Sequence, residues 1–443
     1  MSFLATTNFL GIVKMRLVLS YVWRIYITKT KLWRKLFYGS LSILNFTTFC
    51  ITLYKLILQQ FAFGNITDII TVATFVITLL LLRQRLISVR KKLYSNEYYI
   101  KPKSQQSIKL SELEPNPCDE TDGYTNYNNE GKAFISSKIN ERINQSIIKV
   151  EIDKKRIKDI RKKILMDDPY SLRLKTAFNN AIRDKTELFN ESKLCLSSEI
   201  DFNEKRVYCH KGTYFDSIET NDMFGKELTV NLDDNTTFVT SLKEIYHYHE
   251  DKQLLPIQCT FMNCHLGASV LAITKDNKLV VMLQTKRSFA DSEKLVPTGN
   301  GSSDWKDLKK YSNLLDVVRQ TMKRELLEET HLNYNYKVKR SIKLEDIIVL
   351  GFFKWIEKGP KPQFVGIVRL KDVDSAMIKE TKEGKKHMLY PAGSKEELEK
   401  SIATIFDQAK DPDKPELSVA LEMNLICIQA KLDAICGLFF PNL

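Results

Sequence analysis

A chain of 443 residues is long enough for two or three domains. Its formal charge of +13 is unevenly spread: residues 1–100 hold thirteen Lys or Arg against two acids, a net of +11. That distribution excludes a nucleic-acid-binding balance spread over a whole domain and marks a basic N-terminal block.

In chain order, 1–36 reads as a basic, amphipathic segment. It is apolar but broken by Lys14, Arg16 and Arg24 and shows no signal-peptide cleavage pattern. It suits an in-plane helix on anionic lipid or a frayed extension. Residues 37–93 hold two apolar runs, 37–61 with the single charge Lys55 and 65–82 with the single charge Asp68. The first is long enough to cross a bilayer and the second is near the short limit. Lys29, Lys31, Arg34 and Lys35 precede the pair, and Arg83, Arg85, Arg90, Lys91 and Lys92 follow it. The positive-inside rule predicts a two-helix transmembrane hairpin with both termini cytoplasmic. Lys55 and Asp68 snorkel to the interface or pair across the hairpin. The alternative is a buried helical hairpin of a soluble domain.

Residues 94–131 are polar and read as a linker. From 132 to 250 the chain reads as helical, then mixed. Ile143, Ile147, Val150, Ile157 and Ile164 fall near heptad spacing, which predicts a helix through 132–166 as a coiled-coil seam or a packed helix. "MDDPYS" ends it, a second helix runs to about 192, and 200–246 is strand-like. Eight cysteines occur without a CxxC pair. Cys259, Cys264 and His265, or Cys209 and His210, suggest zinc at best; reduced structural thiols in a cytosolic compartment fit the spacing better.

Residues 251–443 predict an α/β sandwich. "ASVLAITKDNKLVVMLQTKR" reads as a hairpin with an Asp-Asn turn, "VPTGNGSSDW" as a turn-rich loop, and 314–332 as a helix. Two strands and a closing helix over 414–435 follow. On the helix wheel Glu325 and Glu329 share the stripe of Val318 and Met322, and Glu328 lies beside Glu325. A solvated charged face avoids that arrangement. Three acids at this spacing repel one another, Arg324 balances only part of their charge, and a hard divalent cation would balance the rest.

"RELLEET" resembles the core of the Nudix box: a Gly, five residues, a Glu, seven residues, then Arg-Glu-aliphatic-any-Glu-Glu-any-Gly-aliphatic. Arg324, Glu325, Leu326, Glu328, Glu329 and Leu332 match it. Counted back without a gap, the first box Gly falls on Lys310 and the first box Glu on Asp316, which also suits a helix N-cap; the late Gly falls on His331. An insertion after Gly299 and Gly301 restores the upstream match. The resemblance implies a Nudix-like α/β/α sandwich at the C-terminus, with metal (Mg²⁺) held by Glu325, Glu328 and Glu329 and by Asp316. It implies Arg324 as a structural brace. Lys286, Arg287 and Trp305 are candidates for nucleotide contact.

A membrane hairpin joined to such a domain resembles effectors of bacterial cyclic-oligonucleotide-based anti-phage signalling (CBASS). That resemblance implies a multi-pass protein of the bacterial inner membrane whose cytosolic domain senses a cyclic nucleotide, whose copies cluster as a homo-oligomer, and whose hairpin breaches the lipid bilayer. The competing expectation is a membrane-anchored hydrolase of nucleoside diphosphate derivatives. Neither reading calls for DNA or RNA as a partner.

Overall fold

The computed structural model describes residues 103–106, 109–114, 124–126, 132–168, 172–183, 190–231, 237–239, 253–284, 293–379 and 386–440. The expected basic segment at 1–36 and the hairpin at 37–93 lie outside the described residues. Among the described residues no helix is long and apolar enough to cross a membrane. Contacts divide the chain into one unit of Met1–Lys103 with Thr229–Phe238 and another of Ser104–Leu228 with Val239–Leu443. The second unit carries the carboxylate helix.

Among the elements of that unit are strands β1 (Tyr124–Asn126) and β2 (Ala133–Ser136) and helix α1 (Ser137–Arg142). Then come β3 (Lys149–Ile152), helices α2 (Arg156–Asp167) and α3 (Leu172–Arg183), and strands β4 (Ser192–Leu196) and β5 (Arg206–Thr213). Helix α4 (Tyr214–Glu219) follows, and then β6 (Gly267–Ile273), β7 (Lys278–Leu283), β8 (Leu295–Pro297) and β9 (Gly299–Ser302). Helices α5 (Leu314–Glu329) and α6 (Tyr336–Ser341) lead to β10 (Ile347–Trp355), β11 (Lys361–Arg369) and β12 (Lys386–Pro391). Helices α7 (Lys395–Ala409), α8 (Val419–Ala430) and α9 (Leu432–Phe439) close the chain.

The large sheet runs β8-β7-β6-β11-β10-β2-β1, with β9 added to β6 and β12 to β7. Among the described residues its one parallel strand pair is β6 with β11. Period-2 alternation assigns the two faces. On one face α5 lays Met322 over Gly366, where a Cβ would fall 2.9 Å from the Met322 sulfur. On the other, Leu271, Ile273, Val365 and Ile367 join α7 and α8 through Leu398, Ile402, Leu421, Leu425 and Ile428. Asn424 of α8 is buried and satisfied: it donates to Ser269 Oγ at 2.8 Å and accepts from Gly366 N–H at 3.1 Å. The unit is therefore a mixed sheet between two helical layers.

Four local readings differ from the sequence expectation. The heptad-spaced stretch is not one helix, because Lys149–Ile152 pair in parallel with β5 and Ile147 is exposed. The β-branched run "IIKVEI" favours extended backbone, and Asp153 restarts the chain by accepting from Lys155 and Arg156 N–H. The polar linker contributes β1 to the sheet edge, since ladder hydrogen bonds need no apolar composition. The turn-rich "VPTGNGS" is two short strands, and the closing helix is two, broken at Lys431.

The smaller sheet, β3-β5-β4, packs on a buried polar chain. Ser197 Oγ lies 2.9 Å from His210 Nδ1, and His210 Nε2 lies 3.2 Å from Asn263 Oδ1. Asn263 donates to Ser217 Oγ at 2.7 Å, which lies 2.6 Å from His265 Nδ1. Burial pushes His210 down to about 4 and His265 well below its ordinary value. The unfolded chain protonates these rings near pH ~6.5, so between that pH and the folded value it binds more protons than the native state. Stability should therefore be intact near neutrality and fall as the pH drops through that window, by about 3 kcal/mol for His210 alone. Urea unfolding at about pH 7 and about pH 4.5 checks this, and His210→Asn should flatten the difference.

Candidate functional site

The site grows from the junction of β9 with α5. Gly299 and Gly301 let the strand press on the helix. A Cβ on Gly299 would fall 2.6 Å from Leu326 N, and one on Gly301 would fall 2.2 Å from the Glu325 carboxylate. No other residue type leaves room there for that carboxylate. Asn313 caps α5 by accepting from Leu315 N–H at 3.3 Å, and eight residues of Val-, Met- and Leu-bearing helix separate Asp316 from Glu325.

Arg324 is the hub. Its guanidinium donates to Ser302 C=O at 2.9 Å, to Asp307 Oδ2 at 3.0 Å, to Glu325 Oε1 at 2.8 Å and to Glu328 Oε2 at 3.3 Å, with Asp304 at 3.9 Å. The Asp307 and Asp304 side chains are 2% and 6% exposed, while that of Glu328 is 49% exposed. So the brace is buried on the loop side and open on the Glu328 side. Burial opposes the Arg324 charge, but the carboxylates around it, Glu325 first, raise its pKa above the ordinary arginine value. Burial raises that of Glu325, with Arg324 and Lys193 opposing. Burial works against Asp304 ionising, yet Lys193 and Arg324 hold its pKa below the ordinary aspartate value.

Two outlying strands hold the loop between β9 and α5. From β4, Leu194 N–H donates to Ser303 C=O at 2.9 Å, Trp305 N–H donates to Ser192 C=O at 3.0 Å, and Lys193 pairs with Asp304 at 2.7 Å. From the β3 side, Val150 N–H donates to Ser312 C=O and Leu314 N–H to Ile148 C=O, both at 2.8 Å. Residues 148–150 and 192–194 thus frame the site loop.

The structure brings Arg324, Glu325 and Glu328 together, and places Glu329 half-buried one residue further along α5. It does not bring Asp316 to them. Asp316 sits in the first turn of α5, 3.7 Å from Arg319, about 13 Å up the helix axis from Glu325 at 1.5 Å per residue. It is not the N-cap either. Lys310 closes a short 3-10 turn and is exposed. Trp305 is half-buried on the site loop, and Lys286 and Arg287 lie outside the described residues.

Asp307 is the residue that gap-free counting missed. Gly301 and Asp307 are separated by five residues, and 308–323 then intervene where the pattern has seven. The inserted stretch hid the acid from counting, and the spacing Gly301-x₅-Asp307 was the signal that would have found it. His331 keeps the left-handed backbone, φ 58° and ψ 14°, that the late Gly would supply. For a histidine that conformation is strained.

No protein-family model and no curated protein matches the chain. Solved structures with a similar arrangement include a bifunctional NMN adenylyltransferase/ADP ribose pyrophosphatase from Francisella tularensis, complexed with AMP and a manganese ion. It is 16% identical over 39% of this chain, with a TM-score of 0.24, and the chain spans 42% of that protein's length. A Nudix-family hydrolase from Clostridium perfringens is 16% identical over 38% of this chain and 99% of its own, with a TM-score of 0.22.

The donor set around α5 is all carboxylate, the chemistry of a hard divalent cation, and the Gly301 cradle leaves the space that Glu325 fills. Glu325 and Glu328 both turn to Arg324, and among the described residues no three acidic, Cys or His side chains converge on one point. The paired thiol–imidazole positions Cys209–His210 and Cys264–His265 are likewise buried without such a group, and Cys259 is exposed.

Removing the guanidinium while keeping its stem would strand Asp307 and Glu325 as buried charges. Arg324→Met should cost about 3–5 kcal/mol in urea unfolding. Asp316→Asn, away from the hub, should cost less than about 0.5 kcal/mol.

Proposed function

We propose that the Ser104–Leu228 and Val239–Leu443 unit is a Nudix-type, divalent-cation-dependent hydrolase of phosphoanhydrides, acting on nucleoside diphosphate derivatives. The observation that carries this reading is the Arg324 hub. It joins a Gly301-x₅-Asp307 loop to the helix "RELLEET" through Ser302 C=O and Asp307, although an insertion separates the two halves in sequence. A solvated helix face has no use for a buried arginine spending its donors on a loop.

The residues fit a cation in donor chemistry, being carboxylates, although in this arrangement Glu325 and Glu328 turn to Arg324. Glu325, Glu328 and Glu329 would hold it. When bound, such an ion neutralises charge on a phosphoanhydride and lowers the pKa of coordinated water. The chain's own part is positioning. Arg324 and the Gly301 cradle fix the Glu325 carboxylate, while the half-exposed Glu328 is free to swing from Arg324 toward substrate. Lys193 and Lys306 both reach Asp304, at 2.7 and 2.8 Å, so the loop is kept rigid without drawing on Glu328.

The membrane-effector reading rests on 37–93, outside the described residues, and no described side chain favours sensing a cyclic nucleotide over cleaving a phosphoanhydride.

The test is release of nucleoside monophosphate from nucleoside diphosphate derivatives by the full-length chain with Mg²⁺ or Mn²⁺. Glu328→Gln and Glu329→Gln should each lower kcat by roughly a hundredfold or more while leaving the fold intact. Cation-independent turnover, or full activity in both variants, would sink the proposal.

A further inference from the structure

The C-terminal end of α5 opens onto a surface that neither the fold nor the proposed hydrolysis uses. Two residues after Glu329 the chain enters "HLNYNYKVKRSIK", His331–Lys343. It holds Lys337, Lys339, Arg340 and Lys343 and no acid. Tyr334 and Tyr336 are 82% and 65% exposed. The aliphatic side chains Leu332, Val338 and Ile342 all turn inward. What faces solvent is therefore aromatic and cationic, with the apolar stems removed.

The aromatic groups are arranged. His331 stacks on Tyr334 with ring centroids 6.0 Å apart and planes 25° from parallel. The Arg340 guanidinium lies 4.8 Å over the Tyr336 ring. His331 holds its place in the stack from a left-handed backbone, which glycine would adopt without strain. That left-handed residue follows the end of α5, and its imidazole faces an exposed ring. Lys323 donates to Ile342 C=O beneath the segment. Burial, followed by the neighbouring Lys339, holds its pKa below the ordinary lysine value, with Asp346 and Glu345 opposing. The acids flanking the segment are Glu329 before it and Glu345 and Asp346 after it. Asp346 accepts from Lys343 N–H and pairs with Lys371 at 3.2 Å, and Glu345 follows the segment.

We propose that His331–Lys343 is a binding surface for single-stranded nucleic acid. Flat π-faces bind bases without regard to sequence, and interleaved Lys and Arg track the phosphates. The whole-chain charge balance gave no reason to expect such a partner; the patch supplies it from four side chains on one short segment. An anionic membrane surface is the competing polyanion. It would be served by exposed aliphatic groups that penetrate the acyl boundary, and here those groups are buried.

The test is fluorescence anisotropy of a labelled single-stranded RNA and the matching DNA, about twelve nucleotides long, on the full-length chain. EDTA is present throughout, so that binding is read without turnover and failure of the hydrolase reading leaves the result untouched. The basic 1–100 block will attract any polyanion, so the deciding variants keep the charge. Tyr334→Ala and Tyr336→Ala should each weaken binding roughly fivefold or more. Lys339→Ala and Arg340→Ala should each make the dependence of log affinity on log salt shallower by about 0.7. His331→Gly should raise the urea midpoint while weakening binding, a split that a purely structural residue does not give. Wild-type affinity in both tyrosine variants overturns the proposal. So does displacement of the strand by free AMP at its own concentration, which would mark a mononucleotide pocket. So does a loss confined to phosphatidylglycerol vesicles, which would mark a membrane surface.

Discussion

One guanidinium organises this site. Arg324 is 11% exposed in its side chain, and it lies among Asp304, Asp307, Glu325 and Glu328 with the Ser302 carbonyl. Taking so many charges out of water is unfavourable unless each finds a partner. A planar fork with five donors meets that condition where a lysine would not. The requirement then propagates outward. Ser302 and Asp307 must be held to within hydrogen-bond tolerance of a helix that begins several residues later. A loop with an insertion cannot do that by itself.

The smaller sheet supplies the restraint. β4 pairs with the beginning of the loop, the β3 side pairs with its end, and Lys193 ties Asp304 from the flank. These are backbone pairings, so they fix the loop whatever its side chains are. The small sheet is in turn locked by the Ser197–His210–Asn263–Ser217–His265 chain, whose rings burial keeps neutral near pH 7. The region before the sandwich is thus a scaffold for the inserted loop, and the two must have been shaped together for Arg324 to reach Asp307.

Elements with long, regular periodicity were legible in the sequence. The β6–β7 hairpin follows from two short apolar runs on either side of an Asp276-Asn277 turn, where Asn277 adopts φ 58°. The inward tilt of Glu325 follows from its place on the Val318–Met322 stripe. What escaped depended on partners far away in the chain. Lys149–Ile152 carries helical spacing but becomes a strand because β5 and the 312–314 backbone offer it hydrogen bonds. Asp307 carries only its spacing from Gly301. It becomes part of the site only when residue 324 is brought beside it, and gap-free spacing pointed to Asp316 instead.

Arg324 and a cation compete for the same oxygens, and the burial pattern decides how that competition can resolve. Ser302 C=O and Asp307 hold the guanidinium from the buried side, and neither depends on Glu328. Glu328, half exposed at 3.3 Å, makes the longest hydrogen bond of the hub and is the one that can leave without unravelling the brace. Glu325 cannot retreat, because Gly301 backs its carboxylate. Glu325, held in place, and Glu328 and Glu329 on the more open side would be the residues to hold a cation, while Arg324 keeps its hydrogen bonds to the loop. The arginine's anchoring contacts with Ser302 and Asp307 are thus separate from its contact with Glu328.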